Sequence, residues 1–215
     1  MKAFWHKKEN NKQLLLIFNG WGFDNNIFSN IDVPSYDIVS LYDYSDIDTN
    51  QFSFTKNYCV TVLAWSYGVF IADFYSQYLH NVEKAIAVNG TTTPIHNEKG
   101  IPENIFLATM NTFSEKSRNK FYLRIAGGLT KLNEIKEQLP QRDAENQLLA
   151  LKSLYTLSTN RMDTTKSISW DKAVVCLSDK IFPPNNMLNA WGAKATTCEG
   201  EHLPDFCAVI NEYVI

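Results

Sequence analysis

At 215 residues the chain has room for one globular domain with a full core, and 45% hydrophobic against 20% charged residues describes a folded rather than a disordered chain. A formal net charge of −3 excludes a general basic field for nucleic acid, and no apolar run approaches the ~20 residues of a membrane-spanning helix. The opening MKAFWHKKENN lacks the apolar middle of a secretion signal. The four cysteines (Cys59, Cys176, Cys198 and Cys207) form no C-x-x-C pair. These features point to the cytoplasm and to buried reduced thiols rather than disulfides or a metal site.

In chain order, residues 3–6 suggest a short edge strand, and residues 13–18 (QLLLIF) form a continuous apolar run stopped by Asn19-Gly20. Further strands are expected at 36–41, 58–65, 84–89 and 173–177, with a weaker one at 194–198. Runs apolar on both faces suit a parallel sheet covered by helices, and their alternation with helical segments predicts an α/β architecture. A helix is expected over 69–79, directly after the fourth strand. Residues 102–160 break the rhythm, with helical runs at 102–113, 114–126, 130–138 and 142–157 and no convincing strand. Thr112 with Glu115 is expected to cap the second of these. The segment reads as a helical insertion covering the active-site edge, or else as helices packed on one face of the sheet. The whole chain, 1–215, is expected to form a single domain with this cap inserted.

Between the strand at 58–65 and the helix after it stands Ala64-Trp65-Ser66-Tyr67-Gly68. This is the strand, sharp turn and helix of a nucleophile elbow, with alanine where the G-x-S-x-G pattern has its first glycine. Serine needs a base within hydrogen-bond reach and a third group to orient that base. Of the four histidines, His6 precedes the first strong strand, His80 ends the helix after Ser66, and His96 lies in a polar loop. Only His202 follows the last strand, as the order nucleophile, acid, histidine of an α/β-hydrolase requires. The acid expected is Asp179, at the carboxyl end of the preceding strand. Asp43 and Asp46 are fallback acids that break the expected order.

Negative charge on the substrate oxygen calls for preorganised N–H donors. The main-chain N–H of Tyr67, next after the nucleophile, is one candidate. The loop Asn19-Gly20-Trp21-Gly22-Phe23 offers the other at Trp21, whose indole is also placed to wall an acyl pocket. Between residues 111 and 142 lie seven basic side chains and three acidic ones. Lys116, Lys120 and Arg124 recur every fourth residue, so they share one helix face. That face is either a docking surface for an acidic partner or simply a solvated surface. The aromatics Phe106, Phe113, Phe121, Tyr122 and Tyr155 either line an acyl channel, with Phe121 and Tyr122 as the substrate-binding candidates, or pack as core.

The loop Asn19-Gly20-Trp21-Gly22, the elbow Ala64-Trp65-Ser66-Tyr67-Gly68-Val69, the stretch Tyr42-Asp43-Tyr44 and the late Gly200-Glu201-His202-Leu203-Pro204 together carry a resemblance. The chain resembles the α/β-hydrolase superfamily and, more narrowly, the BioG type of pimeloyl-[acyl-carrier protein] methyl ester esterase. The resemblance implies a mostly parallel central sheet with helices on both faces. It also implies removal of the methyl group from pimeloyl-[acyl-carrier protein] methyl ester in biotin synthesis, through Ser66, His202 and Asp179. Neither metal nor organic cofactor is implied, and the partner is an acidic acyl carrier protein. The triad alone suits another esterase or a thioesterase equally well. A non-catalytic binding protein of the same fold is the reading from a different class.

Overall fold

The computed structural model describes residues 1–160 and 167–215. Seven strands form one sheet: β1 (Lys2–Lys7), β2 (Gln13–Phe18), β3 (Tyr36–Tyr42), β4 (Cys59–Trp65), β5 (Val82–Val88), β6 (Lys172–Cys176) and β7 (Ala195–Cys198). Their order is β1-β3-β2-β4-β5-β6-β7. All neighbours pair parallel except the edge pair β1 and β3. The two-residue period of a strand sends alternate side chains to opposite faces. Accordingly Leu14, Leu16, Phe18, Val60, Val62 and Ala64 join the core on one face. Leu15, Ile17, Leu63 and Trp65 join the core on the other. Doubly buried strands of this kind need helices on both sides, the α/β architecture expected from the alternating runs.

The helices are α1 (Tyr67–Phe74), α2 (Glu103–Thr112), α3 (Glu115–Ala126), α4 (Leu129–Glu134), α5 (Ala144–Thr159), α6 (Pro184–Trp191) and α7 (Phe206–Tyr213). Helix α1 is shorter than the expected 69–79, because its last turn tightens to a 3₁₀ segment at Ser76–Tyr78. Aromatic and polar residues with modest helix propensity meet there. The cap of α3 also differs from expectation. Ser114, in extended backbone, accepts from the N–H of Ser117, and the Ser117 hydroxyl accepts from the Ser114 N–H at 2.8 Å. Thr112 ends α2 instead and donates its hydroxyl back to the Ala108 carbonyl. The break falls at Phe113, so the next small hydroxyl takes the capping position.

Helices α2 to α5 lie between β5 and β6, and among the described residues no strand interrupts them. All four cysteines are free thiols. The expectation that they are buried holds for Cys176; Cys59 and Cys198 are half-buried, and Cys207 is exposed because α7 turns Phe206, Val209 and Ile210 inward instead. Among the described residues no helix is long and apolar enough to cross a membrane.

Candidate active site

Ser66 sits between the end of β4 and the start of α1 with φ 58° and ψ −125°, a conformation that costs a non-glycine residue on the order of 1–3 kcal/mol. The surrounding chain over-determines it. The Ser66 N–H donates to the Val88 carbonyl at 2.8 Å. A Cβ on Gly68 would stand 2.2 Å from the Phe18 carbonyl oxygen, and one on Gly90 2.2 Å from that of Ser66. The elbow is therefore wedged between the carboxyl ends of β2 and β5, and the glycines at 68 and 90 are steric requirements.

The loop after β7 brings His202 to this point. Its Nε2 lies 2.9 Å from Ser66 Oγ, and its Nδ1 lies 2.7 Å from Asp179 Oδ2. These partners assign the tautomer: Nδ1–H donates to the carboxylate and Nε2 accepts from the hydroxyl. Asp179 Oδ1 is satisfied separately by the N–H groups of Ile181 and Phe182, at 2.7 and 2.9 Å. All three side chains are buried. The imidazole stacks on Phe182 with an interplanar angle of 5°. The fallback acids lie elsewhere. Asp43 is buried against Arg142, 2.9 Å away, and Asp46 is exposed. His6 pairs with the Ser40 hydroxyl, and His96 accepts from the Glu98 N–H.

Asn89 carries no sequence signal as a site residue, yet it ties the two loops together. Its Oδ1 accepts from the Cys176 N–H at 2.8 Å, at the root of the Asp179 loop. Its Nδ2 donates to the carbonyls of Glu201 and His202, both at 3.0 Å. The Trp65 indole N–H adds a third donor to the loop of His202, at 2.9 Å. A buried amide with three bonds is costly to place wrongly, which makes Asn89 a register pin for the loops of His202 and Asp179.

The loop after β2 faces Ser66 across the cleft. Asn19 braces its stem by donating to the Asp24 carbonyl and accepting from the Gly20 N–H. Gly20 lies flat on the Trp65 ring, where a Cβ would meet it at 2.8 Å. Gly22 adopts φ +86°, the left-handed region that favours glycine. Among the described residues the Trp21 N–H has no protein acceptor. The N–H of Tyr67, first residue of α1, is one of the four donors a helix start leaves without an intrahelical partner.

These groups line a cleft that holds Ser66, Tyr67, His202, Trp21 and Trp65. Its walls come from α2 (Ile105, Phe106, Thr109), α3 (Phe121, Arg124, Ile125) and Leu151 of α5. Trp21 and Phe121 thus stand at the cleft. Tyr122 does not line it; this ring is buried behind, against Phe23, with its hydroxyl accepting from Gln147 Nε2. Lys116, Lys120 and Arg124 are exposed along α3, and of these Arg124 reaches the cleft. Lys180, from the loop after β6, lines the cleft as well. Nothing in the sequence distinguishes it from a solvated turn lysine.

Residues 1–207 match the model of a protein family described as pimeloyl-ACP methyl esterase BioG. The chain is 34% identical over 187 residues to a malonyl-[acyl-carrier protein] O-methyltransferase of Bacteroides fragilis, a match covering 84% of this chain and 36% of that protein. This chain therefore spans little more than a third of that curated relative. Among solved structures, BioG from Haemophilus influenzae superposes with a TM-score of 0.82 at 30% identity, covering 95% of this chain and 94% of that one. A lipase-esterase related protein from Clostridium acetobutylicum shares the fold at 14% identity, with a TM-score of 0.64 and coverage of 98% and 97%.

Proposed function

Given a chain that belongs to the BioG family of pimeloyl-ACP methyl esterases, we propose that it is a serine carboxylesterase that hydrolyses the methyl ester of pimeloyl-[acyl-carrier protein] in biotin synthesis. One observation carries the reading: a buried, continuous relay runs from Ser66 Oγ through both nitrogens of His202 to Asp179.

In this mechanism Ser66 Oγ attacks the ester carbonyl while His202 Nε2 takes its proton. The negative oxygen is met by the N–H groups of Trp21 and Tyr67. His202 then returns the proton to the departing methoxide, which leaves as methanol, and Ser66 keeps the acyl group as an ester. A water molecule, deprotonated by His202, attacks that ester. Its collapse frees the carboxylate and restores the serine hydroxyl. Asp179 fixes the tautomer and stabilises the imidazolium throughout. The apolar walls suit an acyl chain, with Trp21 and Phe121 against it. Helices α2 to α5 act as a cap over the sheet edge, within a single domain.

The exposed basic face of α3, with Lys116, Lys120 and Arg124, suits docking of an acidic acyl carrier protein by steering and weak retention. The reading is tested by mass spectrometry of the products from pimeloyl-[acyl-carrier protein] methyl ester. Wild type should leave the thioester intact and remove one methylene's mass from the acyl group, and Ser66→Ala should leave the substrate unchanged. Release of the acyl group from the carrier would instead mark a thioesterase.

A further inference from the structure

We infer that Gln147, a buried residue of α5, is the positioning residue for the oxyanion hole: it seats the tip of the Trp21 loop from the side of the helical segment. The inference rests on the serine-esterase reading above and adds a residue that the triad does not include.

The loop stem is braced from below by Asn19, and Tyr44 donates its hydroxyl to the Asn19 carbonyl at 2.7 Å. The tip is held from above. Gln147 Nε2 donates to the Gly22 carbonyl at 2.6 Å, and the Trp21 indole N–H donates to the Gln147 carbonyl at 2.8 Å. Two bonds of opposite sense between one helix residue and two adjacent loop residues fix both the height and the rotation of the tip. Gln147 is fully buried, so water cannot replace either bond, and its Nε2 also bonds the Tyr122 hydroxyl at 2.6 Å. Gly22, at φ +86°, has no side chain to hold it in place. An oxyanion donor works only within about 2.7–3.1 Å of the developing charge, so a small drift of the tip withdraws the Trp21 N–H. The geometry makes α5 a part of the catalytic apparatus as well as a wall.

The test compares wild type with Gln147→Leu, which keeps the volume, and Gln147→Glu, which keeps the shape. Active sites are counted by fluorophosphonate labelling, and turnover is measured on p-nitrophenyl acetate and on the carrier-bound ester. Leucine should lower kcat per labelled site by roughly 10- to 100-fold on both substrates with KM nearly unchanged, since removal of one oxyanion donor costs about 10²–10³. Packing loss alone would reduce the number of labelled sites and leave kcat per site untouched. Glutamate can donate to the Gly22 carbonyl only when protonated, so its kcat relative to wild type, followed from about pH 5.5 to pH 9.5, should fall at least about fivefold as the buried carboxyl ionises. A kcat per site within twofold of wild type for leucine, or a flat ratio for glutamate, overturns the inference. Should leucine fail to fold, the glutamate ratio decides alone. Absence of labelling at Ser66 in wild type would instead bring down the esterase reading, and this inference with it.

Discussion

Ser66, Asp179 and His202 stand on loops rooted in strands that are buried on both faces, whereas the helices above them combine a narrower apolar seam (Phe106, Ile125, Ala150, Leu151 and Leu154) with a few polar ties. Half of the large hydrophobic residues left exposed among the described residues, Ile105, Leu123, Leu129 and Leu149, lie in that helical segment. What fixes it is specific. Arg142 pairs with Asp43, the Gln141 N–H donates to Asp24, and Gln147 bonds the Trp21 loop. Burial sets the loops of Ser66, Asp179 and His202, and directional bonds add to packing in setting the ceiling of the cleft. Substitutions at the edge should therefore act on chemistry, while those above should act on local stability and on substrate choice, except at Gln147, which seats the Trp21 loop and should act on turnover.

The largest effect is expected at the edge. Asp179→Asn presents an amide to His202 Nδ1, favours the wrong tautomer, and should lower kcat by about 10⁴ with an unchanged melting temperature. A fall below tenfold would show that the edge does not depend on this carboxylate. Next comes the strongest tie of the helical segment. Arg142→Ala leaves Asp43 buried beside only Lys2, Ser45 and Asn146, and should cost about 3 kcal/mol in urea unfolding. Burial opposes ionisation of Asp43, yet bonds from Ser45, Arg142 and Lys2 hold its carboxyl below the usual range. Unfolding unchanged by the substitution would mean that the helices are held by packing instead.

Reversing Lys116 and Lys120 together, with Arg124 kept because it also lines the cleft, should reduce kcat/KM for the carrier-bound ester about fivefold at low salt, and far less for p-nitrophenyl acetate. Equal losses on both would remove the docking role. The smallest effect lies at the sheet's outer edge. Burial pulls the His6 pKa down to about 4. The unfolded chain therefore binds more protons between pH 6.5 and 4. Stability from this group is complete above pH 6.5 and is lost as pH falls toward 4, by about 1 kcal/mol once solvent screening of a partly buried ring is allowed for. His6→Gln should flatten that part of the melting curve against pH.

The strands and the order of the relay are legible in the chain because continuous apolar runs and the sequence Ser66, Asp179, His202 are local or ordinal signals. The pins of the site are not. Gln147 bonds a loop 125 residues away in sequence, and Asn89 bonds one 113 residues away, so neither leaves a local pattern. Tyr122 looks like a pocket aromatic by spacing, but its hydroxyl needs a buried partner and turns the ring toward Gln147. The α3 cap is missed because Thr112 and Ser114 are both good capping residues, and only the backbone break at Phe113 chooses between them.

The reactivity of Ser66 toward a fluorophosphonate, mapped by peptide mass spectrometry in wild type and in His202→Ala, tests the central claim most directly. The account predicts one adduct, on the peptide containing Ser66, formed rapidly in wild type and at least about 10³ times more slowly without the imidazole. An adduct on another residue, or labelling of Ser66 at the same rate in both proteins, would contradict it.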